Sequence, residues 1–144
     1  MSDLLYNAGK LGILNGTIDL IHDDIKVMMV TSGYVPDADH SYVDEGMVED
    51  PAHNEISGQG YARKGISGRS IIKDVLFDKI RFYADSVIYP NLKTDTIAGI
   101  IIFKSTGNDA TSPLIMWIDS GGFPCTPKEI NMTIIWSEGG VFTL

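Results

Sequence analysis

Two neighbouring runs decide the fold class: Thr96-Ile97-Ala98-Gly99-Ile100-Ile101-Ile102-Phe103-Lys104 and Pro113-Leu114-Ile115-Met116-Trp117-Ile118-Asp119. Both have the length of a strand and are rich in β-branched and aromatic residues. Turn formers follow each, Gly107-Asn108-Asp109 and Ser120-Gly121-Gly122. The rhythm continues through Asn131–Trp136 and Val141–Leu144, with Gly139-Gly140 between them. Short apolar runs at close spacing, separated by Gly and Asn, predict an all-β fold of the β-sandwich or jelly-roll-like kind.

Upstream, Ile25–Ser32 places Ile25, Val27 and Met29 on one face and Met28 and Val30 on the other. Apolar residues on both faces predict a central strand. Thr17–Ile21 reads as a further strand, ended by His22-Asp23-Asp24. Ser70–Asp78 and Lys79–Tyr83 read as strands, and Val87-Ile88-Tyr89 as one running into Pro90. The pattern implies about eight to ten strands in one β-sandwich domain over residues 17–144.

Residues 1–16 stand apart as a short N-terminal helix or arm, with Leu4, Ala8 and Leu11 at helical spacing and Gly12 and Gly16 at its limits. The segment reads either as a lid over one end of the core or as an arm that docks on a partner. On the second reading Leu4, Leu5, Tyr6, Leu11 and Ile13 supply the apolar contacts, and removal of residues 1–15 leaves a folded body.

Between Gly33 and Gly60 the pattern dissolves into a long irregular loop. It holds seven acidic residues, Asp37, Asp39, Asp44, Glu45, Glu49, Asp50 and Glu55, and no Lys or Arg. A loop of that length inside one domain is usually functional or mobile. A helical turn over His40–Val48 is the only regular element expected in it.

Composition bounds the function. The net charge is −8, and the eleven Lys and Arg are scattered, so the basic footprint needed for nucleic acid is missing. No apolar run approaches the length of a membrane span. The single cysteine, Cys125, excludes an intramolecular disulfide and argues against a cysteine-based zinc site. His40 and His53 with the loop carboxylates follow neither zinc spacing nor EF-hand order. No Gly-x-Ser-x-Gly elbow occurs, and Asp74, Asp78 and Asp119 read as strand-face or turn residues. No enzyme activity, metal or cofactor is expected. Trp117 and Trp136 are candidates for stacking on a sugar, should either ring be exposed.

The segments Ala98–Gly107, Ser112-Pro113-Leu114-Ile115, Ile118-Asp119, Pro124-Cys125-Thr126-Pro127 and Gly140–Leu144 resemble a family of small virion proteins of tailed bacteriophages. Leu14–Asp19 and Asp24-Ile25-Lys26-Val27 extend the likeness. It departs at Pro127-Lys128-Glu129-Ile130, which replaces a Gly-rich turn, and at Cys125, which replaces a small aliphatic residue. The resemblance implies a structural protein of the virion. Capsid decoration (cement) is the favoured role, with the major capsid protein or other virion proteins as partners and self-association on the particle. A tail, neck or fibre-associated component and a carbohydrate-binding host-attachment module are the alternatives.

Overall fold

The computed structural model describes residues 3–144; Met1 and Ser2, the start of the expected arm, lie outside the described residues. The fold is all-β, with eleven strands and one short helix among the described residues. Strands β1 (Leu4–Leu5), β2 (Ile25–Val30), β4 (Lys64–Gly65), β8 (Gly99–Lys104) and β9 (Leu114–Ile118) make a five-stranded antiparallel sheet in the order β1-β9-β8-β2-β4. Two smaller antiparallel sheets accompany it. One has the order β10 (Lys128–Ile134), β7 (Val87–Thr94), β3 (Gly58–Gln59); the other has β11 (Phe142–Thr143), β6 (Lys79–Tyr83), β5 (Ser70–Asp74).

The expectation for Ile25–Ser32 holds: β2 lies between β8 and β4, pairing Ile25 with Lys104 through to Val30 with Gly99. Its two faces feed two cores. Ile25, Val27 and Met29, with Ile100 and Ile102, pack against Phe82, Val87, Tyr89, Leu92, Ile134 and Phe142 of the smaller sheets. Met28 and Val30, with Ile101, Phe103, Leu114 and Trp117, pack against Tyr6, Tyr34 and Val43. A sheet buried on both faces needs a cover on each. Here the smaller sheets cover one face, and the N-terminal segment with the acidic loop covers the other.

The acidic loop is therefore a structural layer. Its backbone is tied down at Thr31 N to Asn54 O (2.8 Å), Val43 N to Ser112 O (3.0 Å) and Leu114 N to Ser41 O (2.9 Å). The buried Asp50 carboxylate accepts from Glu45 N and Met47 N at 2.6 and 2.7 Å. No helical turn forms over His40–Val48; a single 3-10 turn occupies Pro51–Asn54 instead, opened by Pro51.

Thr17–Ile21 is not a strand. Asp19 accepts hydrogen bonds from the backbone N–H groups of Ile21 and His22, at 3.0 and 3.1 Å, and Asp23 accepts from Asp19 N at 2.7 Å. These local side-chain bonds close tight turns and outcompete pairing with another strand. Ile18 and Leu20 still reach the core. The β7 strand in turn outruns its expected stop at Pro90. Pro90 and Asn91 form a bulge between the pairs Met132–Tyr89 and Ile130–Leu92, with Asn91 at φ +52° and its N–H held by Asn131 Oδ1 at 3.0 Å. Proline is tolerated there because β3 pairs only with Lys93 and Thr94, so the missing N–H has no ladder partner to lose.

Candidate interaction surfaces

The helix α1 (Asn7–Asn15) is inverted relative to ordinary amphipathic packing. It buries Gly9 and Gly12 and exposes Leu11 and Leu14, 63% and 84% accessible. Gly9 lies flat on β9, so close that a Cβ there would stand 2.7 Å from Ile115 Cα. Ahead of the helix, Leu4 and Leu5 form β1 and pair with Trp117 and Met116. Tyr6 is fully buried, and its hydroxyl meets that of Tyr34 at 2.7 Å. Burial raises the Tyr6 phenol far above its ordinary range.

Of the five expected docking residues, then, Leu4, Leu5 and Tyr6 are committed to the chain's own edge strand and second core. Ile13 packs against the first core. Only Leu11 is exposed. It borders a groove with Tyr42 and Pro113, lined on its polar side by Asp39, Lys104 and Thr111. The described part of the segment covers the sheet as a lid through Leu4, Leu5, Tyr6 and Ile13, which have partners within the fold, while Leu11 and Leu14 stay exposed.

Polar chemistry gathers at one interior cluster. Arg63 donates from Nε and one terminal nitrogen to Glu55, both at 2.9 Å, and to the Asp109 carboxylate at 2.7 and 3.0 Å. Its guanidinium also lies 5.4 Å from the centre of the Phe103 ring. The Arg63 hydrogen bonds hold the Asp109 carboxyl below its ordinary range, and those to Asp109 and Glu55 drive the guanidinium higher still. Four of the five donors of one guanidinium are aimed at two carboxylates that belong to different loops. That geometry clamps the end of the acidic loop to the β8–β9 connection.

The other sequence candidates are dispersed. His40 contacts Tyr34 through Nδ1 at 2.9 Å, whereas His53 lies 3.7 Å from Asp44. Among the described residues, no three His, Cys, Asp or Glu side chains are grouped to hold a metal ion. Cys125 is half-buried, and burial raises its thiol above the ordinary value, which disfavours the reactive thiolate. Asp74 pairs with Arg81, and Asp119 follows the end of β9 in a different sheet. Trp117 is buried in the second core. Trp136 is half-buried and donates its indole N–H to Asp85 O at 2.8 Å, on the wall of a cleft of about 350 Å³ that also includes Phe123, Ser120 and Gly121.

The most exposed apolar surface lies where sequence patterning expected strand residues. The run Ser70–Tyr83 folds into a β5–β6 hairpin, pairing Ser70 with Tyr83 through to Asp74 with Lys79. The reversal is made of Val75, Leu76 and Phe77, exposed at 76%, 82% and 63%. Asp74 Oδ1 accepts from Leu76 N and Phe77 N at 3.1 and 3.2 Å. Asp74 Oδ2 accepts from Arg81 Nε at 2.8 Å, and Arg81 lies 5.7 Å from the centre of the Phe77 ring. The arginine holds the Asp74 carboxyl below its ordinary range. The signal was present in the sequence: two abutting strand-length runs cannot reverse without a turn, and Asp74 and Asp78 bracket the residues that must make it.

Behind the tip, Ile71 and Ile80 share the face of Phe82, and Leu144 extends it through mutual backbone bonds with Ile80 at 2.9 Å. Phe82 is buried against Phe142, but Ile71, Ile80 and Leu144 overhang the core and remain exposed. The result is a fully paired hairpin with an exposed apolar flank. No helix among the described residues is long and apolar enough to cross a membrane. Comparison with family models, with curated proteins and with solved structures gave no match to this chain.

Proposed function

We propose that this chain is a structural protein of a bacteriophage virion, serving as a capsid decoration protein that binds the outside of the head shell through protein–protein contacts. The observation that carries the reading is the preformed β5–β6 hairpin, which exposes Val75, Leu76 and Phe77 on a frame fixed by Asp74 and Arg81, a surface built for protein–protein contact within a coat of repeated copies. A soluble domain rarely exposes so much contiguous apolar side chain without a binding role. A tip held in one conformation also loses little entropy on docking. The family likeness of the β8, β9 and C-terminal segments supplies the particle. The partner is the major capsid protein or another virion protein, and the chain works as an oligomer.

A head position implies hundreds of copies per particle, and a tail or neck position a small multiple of three or six. Densitometry of purified virions against the major capsid protein distinguishes them. Stoichiometry near that of the capsid protein supports decoration, and a few copies per particle would move the assignment to the tail or neck. The absence of the chain from purified virions would end the proposal. A carbohydrate-binding role draws less support, since Trp117 is interior and Trp136 is half-buried.

A further inference from the structure

We propose that the β5–β6 hairpin tip docks on the acidic loop of a second copy of this chain, giving a head-to-tail contact. The two surfaces are complementary in charge and alike in having an apolar centre. At the hairpin, Val75, Leu76 and Phe77 are flanked by the exposed Lys73 and Lys79, and neither lysine is paired with a carboxylate among the described residues. On the loop, the exposed Met47 and Val48 sit between Glu45 and Glu49, and no Lys or Arg pairs with either acid among the described residues. The wider segments carry the same contrast: seven acids and no base over residues 33–60, against four bases and two acids over residues 69–81.

A single copy cannot satisfy this match. Phe82 and Phe142 pack the hairpin sheet on one face of the five-stranded sheet, whereas Tyr34 and Val43 pack the acidic loop on the opposite face. The two patches therefore point to opposite sides of the molecule. A contact between unlike patches on opposite sides is heterologous, and it propagates into a ring or a row. Opposite charge on the rims speeds encounter and fixes register, while the apolar centres supply the driving force. The contact rests on the chain's own surfaces and holds independently of the virion assignment.

Sedimentation velocity and native mass spectrometry of the full chain test it. The wild-type protein is expected to self-associate reversibly, less so at high salt, because exposed charge pairs are screened. Lys73→Glu with Lys79→Glu, and separately Glu45→Lys with Glu49→Lys, should each lower the association constant by roughly tenfold or more. All four sites are exposed, so each double variant should retain the wild-type circular dichroism spectrum and melting temperature. Mixing the two double variants should restore association, since each then offers the other both an attractive hairpin and an attractive loop. A wild-type protein that stays monomeric at all concentrations would overturn the contact, as would a mixture that fails to recover association. Loss of association on Leu76→Asp with no effect of either charge reversal would overturn it too, in favour of a hairpin-to-hairpin dimer.

Discussion

The hydroxyl of Tyr6 lies 2.7 Å from the hydroxyl of Tyr34, and Tyr34 in turn lies 2.9 Å from His40 Nδ1. This buried chain joins the start of the polypeptide to the acidic loop, across the face of the central sheet that both segments cover. Tyr34 also packs against Trp117 at 5.5 Å between ring centres. The N-terminal segment and the loop are thus one cooperative layer.

Removing residues 1–15 should therefore unfold or severely destabilise the domain, the opposite of what a detachable arm implies. The deletion strips β1 from the edge of β9 and uncovers Trp117 and Leu114. Within the layer, Tyr6→Ala should cost about 3–5 kcal/mol, as a large aromatic lost from a core does. Tyr6→Phe should cost about 1 kcal/mol, because only a hydroxyl pair is lost and Tyr34 keeps His40. Urea denaturation of the three variants orders them.

Arg63 makes a second prediction. Arg63→Ala leaves Glu55 and Asp109 facing each other without a cation and should cost about 2–3 kcal/mol, less than a fully buried pair because the cluster is partly solvated. Arg63→Lys should recover only part of this, since one ammonium cannot address two carboxylates with paired, planar bonds. A Lys variant as stable as wild type would show that charge alone matters at this position.

The same cluster fixes a pH dependence. The Asp109 carboxyl is held below its unfolded value by Arg63, so the folded state resists protonation where the unfolded chain accepts it. The stability this contributes is present above the ordinary carboxylate range and is lost as pH falls through the lowered folded value. Denaturation midpoints between about pH 5 and pH 2 should fall less steeply in Arg63→Gln than in wild type. Parallel curves would mean that Asp109 does not sense the guanidinium.

The three inner strands of the sheet were legible in the sequence because they carry their own signals, whereas the two-residue edge strands β1 and β4 carry none. β2, β8 and β9 are apolar on both faces, and that pattern correctly announces a central position. What covers those faces was not legible. Tyr34 and Val43 sit in a segment with no period, and the loop is seated by backbone bonds from Val43 N to Ser112 O and from Leu114 N to Ser41 O that only the assembled fold brings about. Turn chemistry misled at two places. Asp19 converted an apolar alternation into turns, and a bulge at Asn91 carried β7 past a proline. At the surface, alternation put Val75 and Phe77 on a strand face, although the need to reverse direction made them the tip.

Gly9 yields a prediction that runs against helix propensity. In an exposed helix, Gly→Ala stabilises by roughly 1 kcal/mol. Here the added methyl would meet Ile115 Cα at 2.7 Å and Leu114 O at 3.0 Å, and backbone cannot step aside as a flexible side chain can. Gly9→Ala should instead destabilise by about 1–3 kcal/mol. Leu14→Lys, on the exposed side of the same helix, should change stability by less than about 0.5 kcal/mol. Thermal melts of the pair separate close packing from propensity.

Asp74 preforms the hairpin tip, and this can be separated from the tip's own apolarity. Val75→Ser with Leu76→Ser removes exposed surface and leaves the Phe77–Arg81 contact, so the folding free energy should stay within about 0.5 kcal/mol while retention on a hydrophobic-interaction column falls. Asp74→Ala should act differently. It removes the acceptor for Leu76 N and Phe77 N and the partner of Arg81, yet leaves every apolar side chain in place. Amide exchange at Leu76 and Phe77 should then accelerate relative to the β5 and β6 amides, because local opening no longer breaks a side-chain bond. If exchange at the tip is unchanged in Asp74→Ala, the reversal is held by strand pairing alone, and any gain in affinity from a prefolded tip disappears with it.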